Sequence, residues 1–196
     1  LAKELGLSLD GVEVVNLRHD REAPRRQKFA KILTEKRQRE GYTFEEANDK
    51  MFERNYFGMM MVETGEADAC ITGLYTKYSN TIKVAKEVIG LKEGYNYFGT
   101  MHILNSKKGT YFIADTLINR SHDVDSLKEI ARLTEQTVRF YNHEPVMAMV
   151  SYSNFGSDQG GSAGRVKTAV EQLQAENPDW AIDGEMQLSI AMNSEL

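Results

Sequence analysis

The chain has 196 residues, 41% of them hydrophobic, enough to bury one large core or two small ones. Its formal net charge of -5 excludes the basic footprint of a general nucleic-acid binder. The single cysteine, Cys70, excludes a disulfide-stapled secreted scaffold and fits a cytoplasmic protein, and no apolar run approaches the ~20 residues that span a bilayer. No signal-peptide pattern opens the chain. It begins on what reads as the tail of a helix and closes inside another helical pattern, so a piece of a longer protein is expected.

In chain order, Val12 to Leu17 reads as a β-branched strand. A charged helix follows from Ala23 to about Arg39, with Phe29, Ile32 and Leu33 at helical spacing. Its run of Lys and Arg is expected to be a solvated, ion-paired face rather than a phosphate grip. Thr43 and Glu46 form a capping box that opens a long helix through Met51, Tyr56 and Met59 to Val62, stopped by Gly65. Ala69 to Thr72 is expected to be a short buried strand, and Ser79 the N-cap of a helix ending at Gly90.

Two β-like runs, Tyr97 to Leu104 and Thr110 to Ala114, flank the turn Ser106-Lys107-Lys108-Gly109 and predict a hairpin. A helix from Val124 to Tyr141 precedes the strand Val146 to Tyr152. The next helix carries Val166, Val170 and Leu173 inward and ends at Asn177-Pro178. This alternation predicts an α/β fold, doubly wound around mostly parallel sheets. A first unit over 1–122 and a second over 123–196 are expected.

Two loops leave strands and enter helices, where free N–H groups favour an anion. One offers Thr72, Gly73, Tyr75, Thr76, Lys77, Ser79, Thr81 and Lys83; the other offers Ser151, Tyr152, Ser153, Asn154, Gly156 and Ser157. The second is not a P-loop, because no Gly-Lys-Ser/Thr follows. Each could also be an ordinary polar connector. The four histidines show no ligand spacing, and Asp183 with Glu185 reads more readily as a helix cap and dipole partner than as a metal site. No metal site and no catalytic residue are assigned.

Several blocks in the same order resemble the phosphate acetyl/butyryltransferases. They are Phe57-Gly58-Met59-Met60-Met61-Val62 with Gly65-Glu66-Ala67-Asp68-Ala69, then Ile113-Ala114-Asp115, then Glu144 to Ser153, and Ile182-Asp183-Gly184-Glu185-Met186-Gln187. The resemblance implies two α/β subdomains with a cleft between them that takes coenzyme A and an acyl phosphate, usually in a dimer. It implies acyl transfer between coenzyme A and phosphate without a metal. Active members usually carry Ser-Thr-Lys-Gly-Ser, where this chain has Ser153-Asn154-Phe155-Gly156-Ser157. The position usually held by Arg in the other loop is Lys83, which keeps the charge but not the bidentate fork.

These departures, with Asn55-Tyr56-Phe57-Gly58-Met59-Met60-Met61-Val62, look like the version fused to bacterial NADP-dependent malic enzymes. That resemblance implies an acetyl-CoA-binding regulatory and oligomerisation module, acetyl-CoA or phosphate being the candidate ligand. NADP and Mg or Mn would then belong to an upstream malic domain outside this chain. The alternative is an active phosphate acetyl/butyryltransferase. No nucleic acid and no membrane are expected as partners, and a homo-oligomer is.

Overall fold

A computed structural model describes residues 2–73 and 76–193. Its contacts divide into two units, Leu1–Gly90 and Leu91–Leu196, so the hairpin goes with the second unit although the sequence placed the division at 122. Among the described residues no helix is long and apolar enough to cross a membrane.

The first unit is helical. Helix α1 spans Ala23–Arg37, with a proline in its first turn, where the missing N–H costs nothing. The capping box forms as its spacing requires: Thr43 Oγ1 accepts from the Glu46 N–H at 3.2 Å, and Glu46 Oε2 accepts from the Thr43 N–H at 3.1 Å. The single long helix expected from that cap is two helices, α2 (Phe44–Lys50) and α3 (Arg54–Glu63). The N–H groups of Met51, Phe52 and Glu53 bond three residues back rather than four, which ends α2. Met51 and Tyr56 are both buried across the break. Gly65, at φ 72°, closes α3 as a left-handed C-terminal glycine should. Helix α4 spans Tyr78–Val88, and its N-cap is Lys77 rather than Ser79, with no side-chain cap bond.

Phe29, Leu33, Met51, Phe57, Met60 and Val88 fill the core of this unit, with Phe29 and Phe57 edge to face at 5.2 Å. The basic run of α1 is paired, as expected of a solvated face. Lys28 meets Glu66 at 2.7 Å, Arg37 meets Glu40 at 2.8 Å, and Arg25 lies 3.2 Å from both Glu22 and Glu66.

The strands expected in this unit do not form among the described residues. Val12 to Leu17 carries no ladder, though Val15 and Leu17 pack on the core while Val12 and Val14 stay exposed. Ala69 to Thr72 likewise carries no strand, and Ile71 is fully exposed. Apolar, β-branched composition suits a strand, but a ladder needs a neighbouring backbone, and neither segment has one here.

In the second unit, β1 (Met101–Ser106) and β2 (Gly109–Ala114) form the expected antiparallel hairpin, closing with Ser106 opposite Gly109. Helix α5 (Val124–Phe140) opens on Asp123, whose carboxylate accepts from the Ser126 N–H at 2.8 Å. Strands β3 (Val146–Val150) and β4 (Ala181–Met186) pair in parallel across α6 (Gly161–Glu176), a right-sized βαβ crossover. Val166, Val170 and Leu173 of α6 are buried, and Leu173 packs with Ala131 and Ile182. The short helix α7 (Leu188–Ala191) follows β4.

Candidate functional site

The sequence named two loops, and each is organised by a buried polar side chain from outside it; in the second this is Glu185, which lies within a strand rather than at a helix cap as expected. In the first unit that residue is Asn55, in the opening turn of α3 and only 8% exposed. Its amide nitrogen donates to Thr76 Oγ1 at 3.3 Å and to Thr81 Oγ1 at 3.4 Å, and its oxygen accepts from the Thr72 hydroxyl. Thr76 and Thr81 also share a hydrogen bond of 3.1 Å. Three of the candidate residues thus meet at one amide, with Thr81 one turn into α4. Gly73 and Lys77 are exposed, as is Ser79 in the first turn of α4. Tyr75 lies outside the described residues. Lys83 projects from α4 with its Nζ 3.7 Å from Glu87 Oε1 and its side chain two-thirds exposed.

Asn55→Leu keeps the volume and removes the three links. We expect a loss of about 1–3 kcal/mol, the usual cost of unpairing buried polar groups. Hydrogen exchange should show the 72–81 segment opening faster while the amides of α1 keep their protection; unchanged exchange there would exclude Asn55 as the organiser.

In the second unit the loop after β3 is held against the end of β4. The Ser151 N–H donates to the Met186 carbonyl at 2.9 Å and the Phe155 N–H to the Glu185 carbonyl at 2.8 Å. Gln187 adds two bonds, its N–H to Asn154 Oδ1 and its amide nitrogen to the Tyr152 carbonyl, each 2.7 Å. Glu185 is fully buried. Its Oε1 accepts from the Gly156 N–H at 2.6 Å and the Ser153 hydroxyl at 3.1 Å, while Oε2 is buried with no hydrogen-bond partner among the described residues. The hydrogen bond from Gly156, helped by Ser153 and Lys167, holds its carboxyl below the ordinary range against the opposing effect of burial.

Ser153 is itself buried, its Oγ shared with Ser157 at 2.8 Å and accepting from the Asp158 N–H at 2.9 Å. Ser153 and the Gly156 N–H are therefore turned inward, while Ser157 and Asp158 stay exposed. Outward stand Tyr152, whose hydroxyl donates to Asp158 at 2.6 Å, and Phe155, which is 60% exposed at φ 46°.

The histidine pattern was silent in sequence, yet His122 Nε2 lies 2.9 Å from the nearly buried carboxylate of Asp115. Asn119 donates to both oxygens of that carboxylate at 3.1 Å, which fixes the turn between β2 and α5. Among the described residues no three His, Cys, Asp or Glu side chains gather as a metal site.

The family profile described as "Phosphate acetyl/butaryl transferase" matches residues 1–196. An NADP-dependent malic enzyme of Salmonella typhimurium is 37% identical over 188 residues, covering 94% of this chain and 24% of that protein. A phosphate acetyltransferase of Bacillus subtilis is 32% identical over 190 residues, covering 97% of this chain and 58% of that protein. The crystal structure of a phosphotransacetylase from Streptococcus pyogenes superposes with a TM-score of 0.81 at 29% identity, covering 99% of this chain and 58% of that one. The chain thus spans a quarter to somewhat over half the length of these relatives.

Proposed function

Because the chain belongs to the phosphate acetyl/butaryl transferase family, we propose that it is the acyl-CoA-binding, regulatory and oligomer-building part of an NADP-dependent malic enzyme. In this reading the oxidative decarboxylation of malate, with NADP and a divalent metal, is carried by an upstream part of a cytoplasmic polypeptide. The part described here binds acetyl-CoA, the loop 72–83 of the first unit and the loop 151–157 of the second each being a candidate surface in its own unit, and transmits its occupancy.

The observation that carries the reading is the inward turn of the second loop. An acyltransferase needs donors aimed at the oxygen on which charge develops. Ser153 is 2% exposed and its hydroxyl serves Glu185, Ser157 and the Asp158 N–H instead. The large side chains left outward are Tyr152 and Phe155, beside the exposed Ser157 and Asp158, and their aromatic surface suits the uncharged pantetheine and acyl portions of the ligand. The first loop supports the same reading, since Lys77 and Lys83 are exposed cations on the segment that carries the Thr76–Thr81 pair and suit a phosphate of coenzyme A.

The second reading, an active phosphate acetyl/butyryltransferase, is favoured by the retained Ser151-Tyr152-Ser153 and Gly156-Ser157 and by the similarity to phosphate acetyltransferases. Incubating the whole protein with acetyl-CoA and inorganic phosphate separates the two. We expect no acetyl phosphate above the enzyme-free control. Steady, phosphate-dependent turnover would replace the regulatory reading with the transferase one.

A further inference from the structure

We infer that Glu185 is the positioning residue of the Ser/Gly loop: an internal carboxylate that occupies the loop's own anion-binding donors and so sets which groups the loop presents outward. The inference deepens the acyl-CoA reading and rests on it for the ligand, though not for the geometry.

Left to itself, a turn with successive left-handed residues such as Phe155 (φ 46°) and Gly156 (φ 85°) offers backbone N–H groups to an anion. Here that anion is supplied from within, because Gly156 donates to Glu185 Oε1 at 2.6 Å. The same oxygen takes the Ser153 hydroxyl, and Ser153 in turn receives the Asp158 N–H. A chain of three hydrogen bonds therefore runs from Glu185 at the buried end of β4 through Ser153 and Asp158 to the Tyr152 hydroxyl. With Ser153 and Gly156 drawn inward, Tyr152 and Phe155 are the large side chains left outward, beside the exposed Ser157 and Asp158. Specificity follows: the loop meets its ligand mainly with aromatic surface, the Ser153 and Gly156 donors being already engaged.

Stability alone is a poor reason for this carboxylate. Glu185 is fully buried, its second oxygen lacks any hydrogen-bond partner among the described residues, and the cation that helps hold its charge, Lys167 of α6, is itself partly exposed. A buried charge so incompletely paired costs free energy that an apolar side chain would not. What the carboxylate supplies and a hydrocarbon does not is an acceptor at one fixed point.

That distinction gives the test. In the full polypeptide, Glu185→Gln keeps an acceptor oxygen and Glu185→Leu keeps only the volume. Two quantities are read: hydrogen exchange of the 151–158 segment without ligand, and acetyl-CoA affinity by calorimetry. We expect E185Q to stay within about threefold of the parent in both, and E185L to exchange at least about tenfold faster in the loop and bind at least about tenfold more weakly. Equal behaviour of the two variants would mean that Glu185 only fills space and would overturn the inference. If E185L does not fold, Ser153→Ala decides, since it removes the middle link with little change in volume. The Asp158 amide should then exchange at least about tenfold faster, and an unchanged amide would contradict the chain of bonds. A parent protein that binds no acetyl-CoA would sink the functional reading alone, because the exchange arms need no ligand.

Discussion

Gly184→Ala should unfold the β3–β4 pair. Gly184 sits at φ 139°, a conformation that L side chains rarely adopt, directly opposite Met149 in the parallel register. A Cβ there would lie 2.5 Å from the Met149 carbonyl oxygen and 3.1 Å from the Met149 Cβ. The obstacle is mainly backbone, so no rotamer change relieves it, and the two strands must part. Strain and overpacking together should cost at least about 3 kcal/mol. For a unit of this size that lowers the melting midpoint by more than about 10 °C. Because the next residue is Glu185, the Ser/Gly loop should lose its protection in the same transition. Thermal melting followed with hydrogen exchange of β3 checks this; a variant that melts within 2–3 °C of the parent, about 0.5 kcal/mol or less, would refute it.

The second large effect is expected in the first unit, at Glu87. The hydroxyls of Tyr42 and Tyr56 both donate to its Oε2, Lys50 lies 3.9 Å from the same oxygen, and Lys50 also donates to the Tyr56 hydroxyl at 3.0 Å. These groups come from the segment before α2, from α2, from α3 and from α4, so one carboxylate ties four pieces of chain together. Burial alone would raise its pKa, but the tyrosine hydrogen bonds and the two lysines outweigh it and hold it below the ordinary carboxylate range. Glu87→Leu leaves two phenols and a lysine without their acceptor and should cost about 3–5 kcal/mol. Glu87→Gln, which keeps an acceptor, should cost about 1–2 kcal/mol. Denaturant unfolding of the two variants separates the costs, and equal losses would mean that the hub is packing rather than hydrogen bonding.

The hub also fixes a pH dependence of definite sign. Glu87 is depressed in the folded state, so its contribution is present above the ordinary carboxylate pKa and is lost as pH falls through the folded value. Tyr42 moves the other way, pushed up to about 12 by burial and by the hydrogen bond and charge of Glu87. Its contribution is therefore complete below the ordinary tyrosine pKa of about 10 and disappears as pH rises from there towards 12. In the Glu87→Leu protein both the acid and the alkaline losses should be smaller than in the parent.

Much of this architecture could be read from local sequence. Thr43 with Glu46, Gly65, and the turn Ser106 to Gly109 act over a few residues, and each does what its spacing requires. The two missing strands failed for the opposite reason. Val12 to Leu17 and Ala69 to Thr72 have the composition of strands, but pairing is a property of distant backbone and cannot be read from composition.

The organisers of the loops were missed on the same ground. Glu185 reaches residues about thirty positions away, and Asn55 reaches Thr76 and Thr81 across a loop. Asn55 did leave one local signal: it lies four residues before Met59, which places a polar amide on the buried face of its helix. A polar residue on an apolar face is worth pursuing, because burial without partners is costly. Glu185 carried no such mark beyond its place in the Asp183-Gly184-Glu185 block.

The regulatory reading stands or falls on coupling between two sites, and one measurement addresses it. Acetyl-CoA is titrated calorimetrically into the full-length protein while NADP-dependent malate oxidation is followed over the same concentrations. Saturable binding is predicted, with malate oxidation changing over the same range, because a ligand that distinguishes two states must shift their populations. Binding that leaves malate oxidation untouched, or no binding at all, would contradict it.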